Sequence, residues 1–203
     1  MSRAIGLVEF KTTPSGIRAA DIMVKTAKVD LLEAQTVCPG KYIALIAGDL
    51  SAVDAAVKAA IASSSEHYID SFVLGNPHES IFPALYGTST VENVRALGIL
   101  ETYDVASIIV AADLAAKTAI VDLVEVRIAK GMCGKSFFVL TGEIAAVEAA
   151  VADAQIRRLP CFRFGMVGNA ATGLAQHGDV VRAVADGDYL LRAQAEFFAV
   201  FAQ

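Results

Sequence analysis

Ala4-Ile5-Gly6-Leu7-Val8-Glu9 returns as Ala96-Leu97-Gly98-Ile99-Leu100-Glu101, 92 positions further along the chain. The same spacing carries Ala20-Asp21 to Ala112-Asp113, Lys25-Thr26-Ala27 to Lys117-Thr118-Ala119, and Val29-Asp30-Leu31 to Val121-Asp122-Leu123. Two inserted residues then widen the offset to 94. Gly40-Lys41 maps to Gly134-Lys135, Gly48-Asp49 to Gly142-Glu143, and Ala52-Val53 to Ala146-Val147. Matches in this order and over this length mark an internal duplication.

Each copy reads as a small α/β unit. Ile5 to Phe10 predicts a strand. Pro14 to Thr26 carries Ile17, Ala20, Met23 and Val24 at helical spacing, with Ser15 as a candidate N-cap. Val29 to Thr36 predicts a second strand and Cys38-Pro39-Gly40 a turn. Tyr42 to Ala47 is nearly all apolar, which predicts a third strand buried on both faces. Leu50 to Ser63 predicts a second helix capped by Asp49 or Ser51, and Ser71 to Leu74 a short fourth strand. Pro77 to Leu85 predicts a closing helix with proline in its first turn. The order β-α-β-β-α-β is ferredoxin-like, and the class is α+β. The first domain is set at 2–87, with a linker from Gly87 to Glu92. The second domain's core is set at 93–154, starting at about Asn93. The 155–203 segment departs from the repeat, being rich in Ala, Arg, Gly and Val, and carries an apolar stretch from Ala193 to Phe201 that suits a helix.

Composition bounds what such a chain does. Of 203 residues, 55% are hydrophobic and 19% charged, enough for a sizeable core. Mean hydropathy is +0.53, yet no apolar run approaches the ~20 residues of a membrane span. A large subunit interface is the expected place for the excess apolar surface. The net charge of −5 and the lack of any basic run longer than Arg157-Arg158 argue against nucleic acid. The N-terminus shows no signal-peptide pattern, so the expected compartment is the cytoplasm. Three cysteines, Cys38, Cys133 and Cys161, make disulfides a poor default there.

The repeated marks are an A-x-G-x-[VIL]-E strand, a D-x-x-x-K helix end, a V-x-L strand, a Gly-Lys turn and a helix start of the form G-[DE]-x-x-A-V. Together they resemble the shell domain of bacterial microcompartments (BMC). Two copies in one chain resemble the tandem class that assembles as a trimer with a pseudo-hexameric outline. The resemblance implies a flat structural tile with an axial pore, sited in a microcompartment shell in the cytoplasm, and no enzyme activity. It implies a homotrimer that meets other shell proteins, with an encapsulated redox enzyme as a candidate partner. Thr36 to Lys41 and Asp70 to His78 are similar to shell proteins of propanediol-utilising compartments, in which an iron–sulfur cluster sits on the threefold axis. A [4Fe-4S] cluster shared by three chains, each giving Cys38, is therefore the candidate cofactor, passing electrons beside metabolites. The other class considered is a small trimeric ligand-binding regulator on the same fold.

By this resemblance Val37, Cys38, Pro39, Gly40, Met132, Cys133 and Gly134 line the pore. Lys25, Lys117, Asn76 and His78 are the expected tile-edge contacts. Each has a plainer reading beside it. A free cysteine is most often a small buried hydrophobe. A lysine at a helix end complements the helix dipole. Cys133 aligns one position past Cys38, whose counterpart is Met132, so a loop cysteine pointing aside stays open. His67 and His177 stand in no constellation, and Gly131 to Ser136 lacks the glycine spacing of a phosphate loop. Glu9 and Glu101 repeat on strands, which suggests architecture. No nucleophile–base or acid–base pair stands out.

Overall fold

A strand rich in alanine, glycine and branched residues suits close sheet–helix contact, and β1 (Ala4–Phe10) is buried along its whole length. The computed structural model describes residues 4–92, 94–156 and 163–167. Asn93, Cys161, His177 and the Ala193–Phe201 stretch lie outside the described residues. After β1 come α1 (Thr13–Thr26), β2 (Val29–Val37), β3 (Lys41–Gly48), α2 (Leu50–Ser63), β4 (Tyr68–Leu74) and the short α3 (Ile81–Leu85). The second copy follows as β5 (Ala96–Thr102), α4 (Val105–Thr118), β6 (Val121–Arg127), β7 (Ser136–Gly142), α5 (Ile144–Ile156) and β8 (Arg163–Val167). The sheets run β2-β3-β1-β4 and β6-β7-β5-β8, with every described neighbour pair antiparallel. That is the ferredoxin-like order read from the sequence, twice over. Even the irregularity repeats: a bulge between Leu31 and Glu33 recurs between Leu123 and Glu125.

The repeated glycine of the opening strand has a steric cause. A Cβ on Gly6 would sit 2.6 Å from Val53 Cγ1, and one on Gly98 2.8 Å from Val147 Cγ1. Each glycine lets the second helix of its copy settle on the first strand. A different exchange distinguishes the two cores. Gly16 on α1 faces Tyr42, whereas the corresponding positions of the second copy hold Ile108 and Ser136, both buried. From the first copy to the second the large residue has moved from strand to helix and the small one from helix to strand, a compensating exchange. A Cβ on Gly16 would lie 2.4 Å from Tyr42 Cβ, which cannot swing aside. Gly16→Ala should therefore cost about 1–3 kcal/mol in urea unfolding, and adding Tyr42→Gly, which removes that Cβ, should recover part of it in a double-mutant cycle.

Three local expectations shift. The α1 N-cap position is Thr12 rather than Ser15, with Pro14 in the first turn; Thr12 Oγ1 donates to Ser15 Oγ at 2.9 Å. The α2 N-cap position is Asp49, one of the two residues expected there, without a side-chain cap bond. The strand expected from Ser71 starts at Tyr68. The closing helix starts at Ile81, not Pro77, because side chains claim the backbone in between. His78 N donates to Asp113 Oδ1 at 2.7 Å, and Ser80 N donates to His78 Nδ1 at 3.4 Å. Pro83, not Pro77, is the proline of that helix's first turn. Part of the 155–203 segment is also accounted for: β8 pairs with β5, Ile99 opposite Gly165, just as Leu7 of β1 stands opposite Phe72 of β4.

Sheet faces decide where the functional surfaces fall. Val8, Phe10, Ala44 and Ile46 meet α1 and α2 on one side of the first sheet. On the other side Ile5, Leu7, Ile43 and Leu45 join the core of the second copy, and α4 lies across β1 and β4. The first sheet is thus covered twice, once by its own helices and once by its neighbour's.

Candidate functional site

The two Gly-Lys turns meet. Cys38 N donates to Ala129 O at 3.0 Å, across the boundary between the copies. Gly134 holds φ +91°, a left-handed conformation costly for residues with a Cβ; a Cβ here would also approach Cys38 O to 3.0 Å and Pro39 Cδ to 3.2 Å. The second turn carries two non-glycine residues at positive φ, Ala129 at 38° and Cys133 at 52°. The Cys38–Pro39 peptide is cis. Cys38 is half-buried and Cys133 exposed, both free thiols. Met132 is half-buried and Pro39 exposed, while Val37 is buried in the shared core. Gly40, the partner of Gly134 in the repeat, has nothing within 4 Å of its own would-be Cβ.

Beneath each turn lies a carboxylate–lysine pair. Glu9 is wholly buried and ion-paired with Lys41, the lysine of the first turn. Its Oε2 also accepts from Val105 N at 3.0 Å, the first residue of α4. An N–H in the first turn of a helix has no partner inside the helix, and the helix dipole favours an anion there. Burial pushes the Glu9 carboxyl above the usual carboxylate range, while Lys41 and the Val105 amide pull it back. In the second copy Glu101 pairs with Lys135 at 3.0 Å, but their side chains stay 27% and 33% exposed. Repetition of Glu9 and Glu101 suggested architecture. What the reading missed is that each glutamate answers the lysine of a Gly-Lys turn, although both residues repeat together.

Removing Lys41 tests the first pair. Lys41→Met leaves Glu9 buried without its cation and should cost roughly 3–5 kcal/mol near neutral pH. The carboxyl then takes up a proton on folding, so the folded state binds more protons than the unfolded one. Stability must fall as pH rises through the folded-state pKa. In urea titrations the Lys41→Met deficit should be larger at about pH 8 than at about pH 5.

The expected edge residues separate into two groups. Lys117 Nζ donates to Asn76 O and to Asp113 Oδ2, each at 2.6 Å, and Asp113 Oδ1 accepts from His78 N. Lys117, Asn76 and His78 therefore gather where the two copies join. Lys25 stands apart, 2.7 Å from Asp21 on the exposed side of α1.

Corresponding positions differ in burial with one consistent pattern. Ile5, Leu7, Ile43 and Leu45 are buried, while Leu97, Ile99, Phe137 and Val139 are half-covered. Ile109 on α4 is fully buried, but Ile17 on α1 is 54% exposed. Asp113 is buried and Asp21 exposed. At these positions the surface buried between α4 and the first sheet is exposed or half-covered on α1 and the second sheet.

A model of the BMC domain matches residues 4–77 and again 96–157. The chain belongs to the BMC-domain family. It is 41% identical over 151 residues to the bacterial microcompartment shell protein PduT of Citrobacter freundii, covering 74% of this chain and 82% of that one. The carboxysome shell protein CcmK2 of Synechocystis is 32% identical, with 98% of its length matched to 47% of this chain. A solved microcompartment protein from Desulfitobacterium hafniense DCB superposes with a TM-score of 0.69 at 50% identity, over 76% of this chain and 86% of its own. This BMC protein is accordingly a tandem-domain shell component of a cytoplasmic microcompartment, structural rather than enzymatic. A BMC domain of the CcmK2 kind fills about half of it, which agrees with two such units in one chain.

Proposed function

We propose that three copies close into a flat ring of six BMC units and tile a microcompartment shell, with the Gly-Lys turns around the central opening. One observation carries this reading: the unequal burial of equivalent positions. Inside a chain, α4 seals the far face of the first sheet. The same surface on the second sheet is left half-covered, and the same face of α1 is left exposed. A second copy in the same relation supplies the missing helix, and three repeats of that step close the ring. Burying one Leu- or Ile-sized side chain is worth about 1.5–3 kcal/mol, so Leu97, Ile99, Phe137, Val139 and Ile17 give closure a substantial driving force.

The ring brings three Cys38 thiols toward one axis. Each is partly exposed on a turn that the other copy braces, and soft thiolates suit iron–sulfur ligation. Such a cluster would draw one thiolate from each of the three chains. A [4Fe-4S] cluster held by the three Cys38 thiolates would supply one-electron transfer through the tile. Lys25, and Lys117 with Asn76 and His78, would meet the neighbouring tile at the rim.

Anaerobic purification with mass determination in solution, iron and sulfide analysis, and electron microscopy tests the reading in parts. A three-chain mass, sheets or tubes, and about one cluster per three chains are expected. Discrete particles without extended assemblies would instead point to a soluble regulator. A one-chain mass would end the ring reading.

A further inference from the structure

Ring closure joins two copies at the second pore turn as well as along the sheet. The Glu9–Lys41 pair is complete within the chain because α4 presents Val105 N to Glu9. Glu101–Lys135 has the same two members, and they stay partly exposed. The position equivalent to Val105 is Thr13, the first residue of α1. No helix can satisfy that N–H from within. It lies on the same α1 whose outward face holds the exposed Ile17.

We propose that the Thr13 N–H of a second copy caps Glu101 when the ring closes, and that this contact fixes Lys135 and with it the Cys133 turn. The inference rests on the three-chain reading and adds a coupling to it. The ion pair under the Cys38 turn is completed by its own chain, whereas the pair under the Cys133 turn is completed only by assembly. The turns leave room for the same step: Gly134 packs against Cys38 and Pro39 of its own chain, while Gly40 has nothing within 4 Å of its would-be Cβ, the place where Met132 and Cys133 of another copy would fall. Cys133, held at a positive φ that its side chain disfavours, has the most to gain from an external brace.

Thiol alkylation followed residue by residue with N-ethylmaleimide and peptide mass spectrometry reads the coupling without any cluster. Two variants of the full chain remove the two halves of the contact. Glu101→Ala removes the acceptor. Thr13→Pro removes the N–H at a helix position that tolerates proline. In trimers of either variant Cys133 should react roughly fivefold faster than in wild-type trimers, with Cys38 unchanged, because the freed turn opens more often. Glu101→Gln, which keeps a carbonyl acceptor, should fall between. Glu9→Ala should do the reverse, speeding Cys38 and sparing Cys133. A variant that folds but stays monomeric would place the cap among the contacts that hold the ring, and would support the same assignment. Trimers of both variants with the wild-type Cys133 rate would overturn it. A wild-type chain that never forms trimers would instead end the ring reading, and the Glu9→Ala effect on Cys38 would persist in that monomer.

Discussion

An Ile17→Asp chain should be folded and monomeric. Ile17 touches little in its own chain, with 54% of its surface exposed, so the substitution should leave the single-chain fold nearly as stable as before. Its equivalent, Ile109, is wholly enclosed where α4 crosses the first sheet. If α1 crosses the second sheet of another copy in the same way, closure would drive an unpaired carboxylate among Leu97, Ile99, Phe137 and Val139. Leaving such a charge without a partner costs several kcal/mol per interface, and the ring has three. Light scattering during size exclusion should show the mass falling from three chains to the 21.3 kDa of one, with the far-ultraviolet circular dichroism unchanged. Ile109→Asp is the informative control, because there the same chemistry falls inside the chain and should prevent folding. Thr26→Asp adds a charge to α1 at an exposed position whose equivalent, Thr118, is exposed too, and should leave the trimer intact. A trimeric Ile17→Asp protein would mean that α1 does not face the second sheet.

The duplication explains why so much of this was readable before any coordinates. A repeat with an offset of 92 and then 94 places ten of the thirteen strands and helices by analogy once five are understood, and β3 declared itself by being apolar at nearly every position. What the letters hide is inequality between equivalent sites. Leu7 and Ile99 look alike on paper, and only the packing of α4 shows that one is sealed and the other half-open. Glu9 and Glu101 hide the same contrast. The boundaries that moved have local causes of the kind composition does not reveal. Ser80 N and Asn76 O, which a helix from Pro77 would have bonded to each other, go instead to His78 Nδ1 and Lys117 Nζ. Strand β8 escaped notice because its offset from β4 is 93 rather than 94, and Gly165 stands where Phe72 gives the first copy its apolar signal. The meeting of the two turns was expected only through family resemblance. No spacing rule predicts that Cys38 N will find Ala129 O.

The sharpest chemical test lies in those turns. Cys38→Ser should reduce iron and acid-labile sulfide in the anaerobically purified protein to background and abolish its visible absorption, while the three-chain mass and urea midpoint barely move. The substitution changes one soft sulfur to a hard, largely protonated hydroxyl of similar size. Symmetry multiplies the effect, since one change removes all three ligands of the cluster at once. Nothing in the first turn's architecture depends on the sulfur. The backbone bond to Ala129, the Glu9–Lys41 pair and the contact with Gly134 all survive, so loss of iron with the trimer intact isolates ligation from folding. Cys133→Ser is the matched comparison, on the exposed and offset cysteine of the other turn. Iron retained in Cys38→Ser but lost in Cys133→Ser would move the ligand ring to the second turn. Iron retained in both would remove these turns from the account of the cofactor and leave the tile a passive pore.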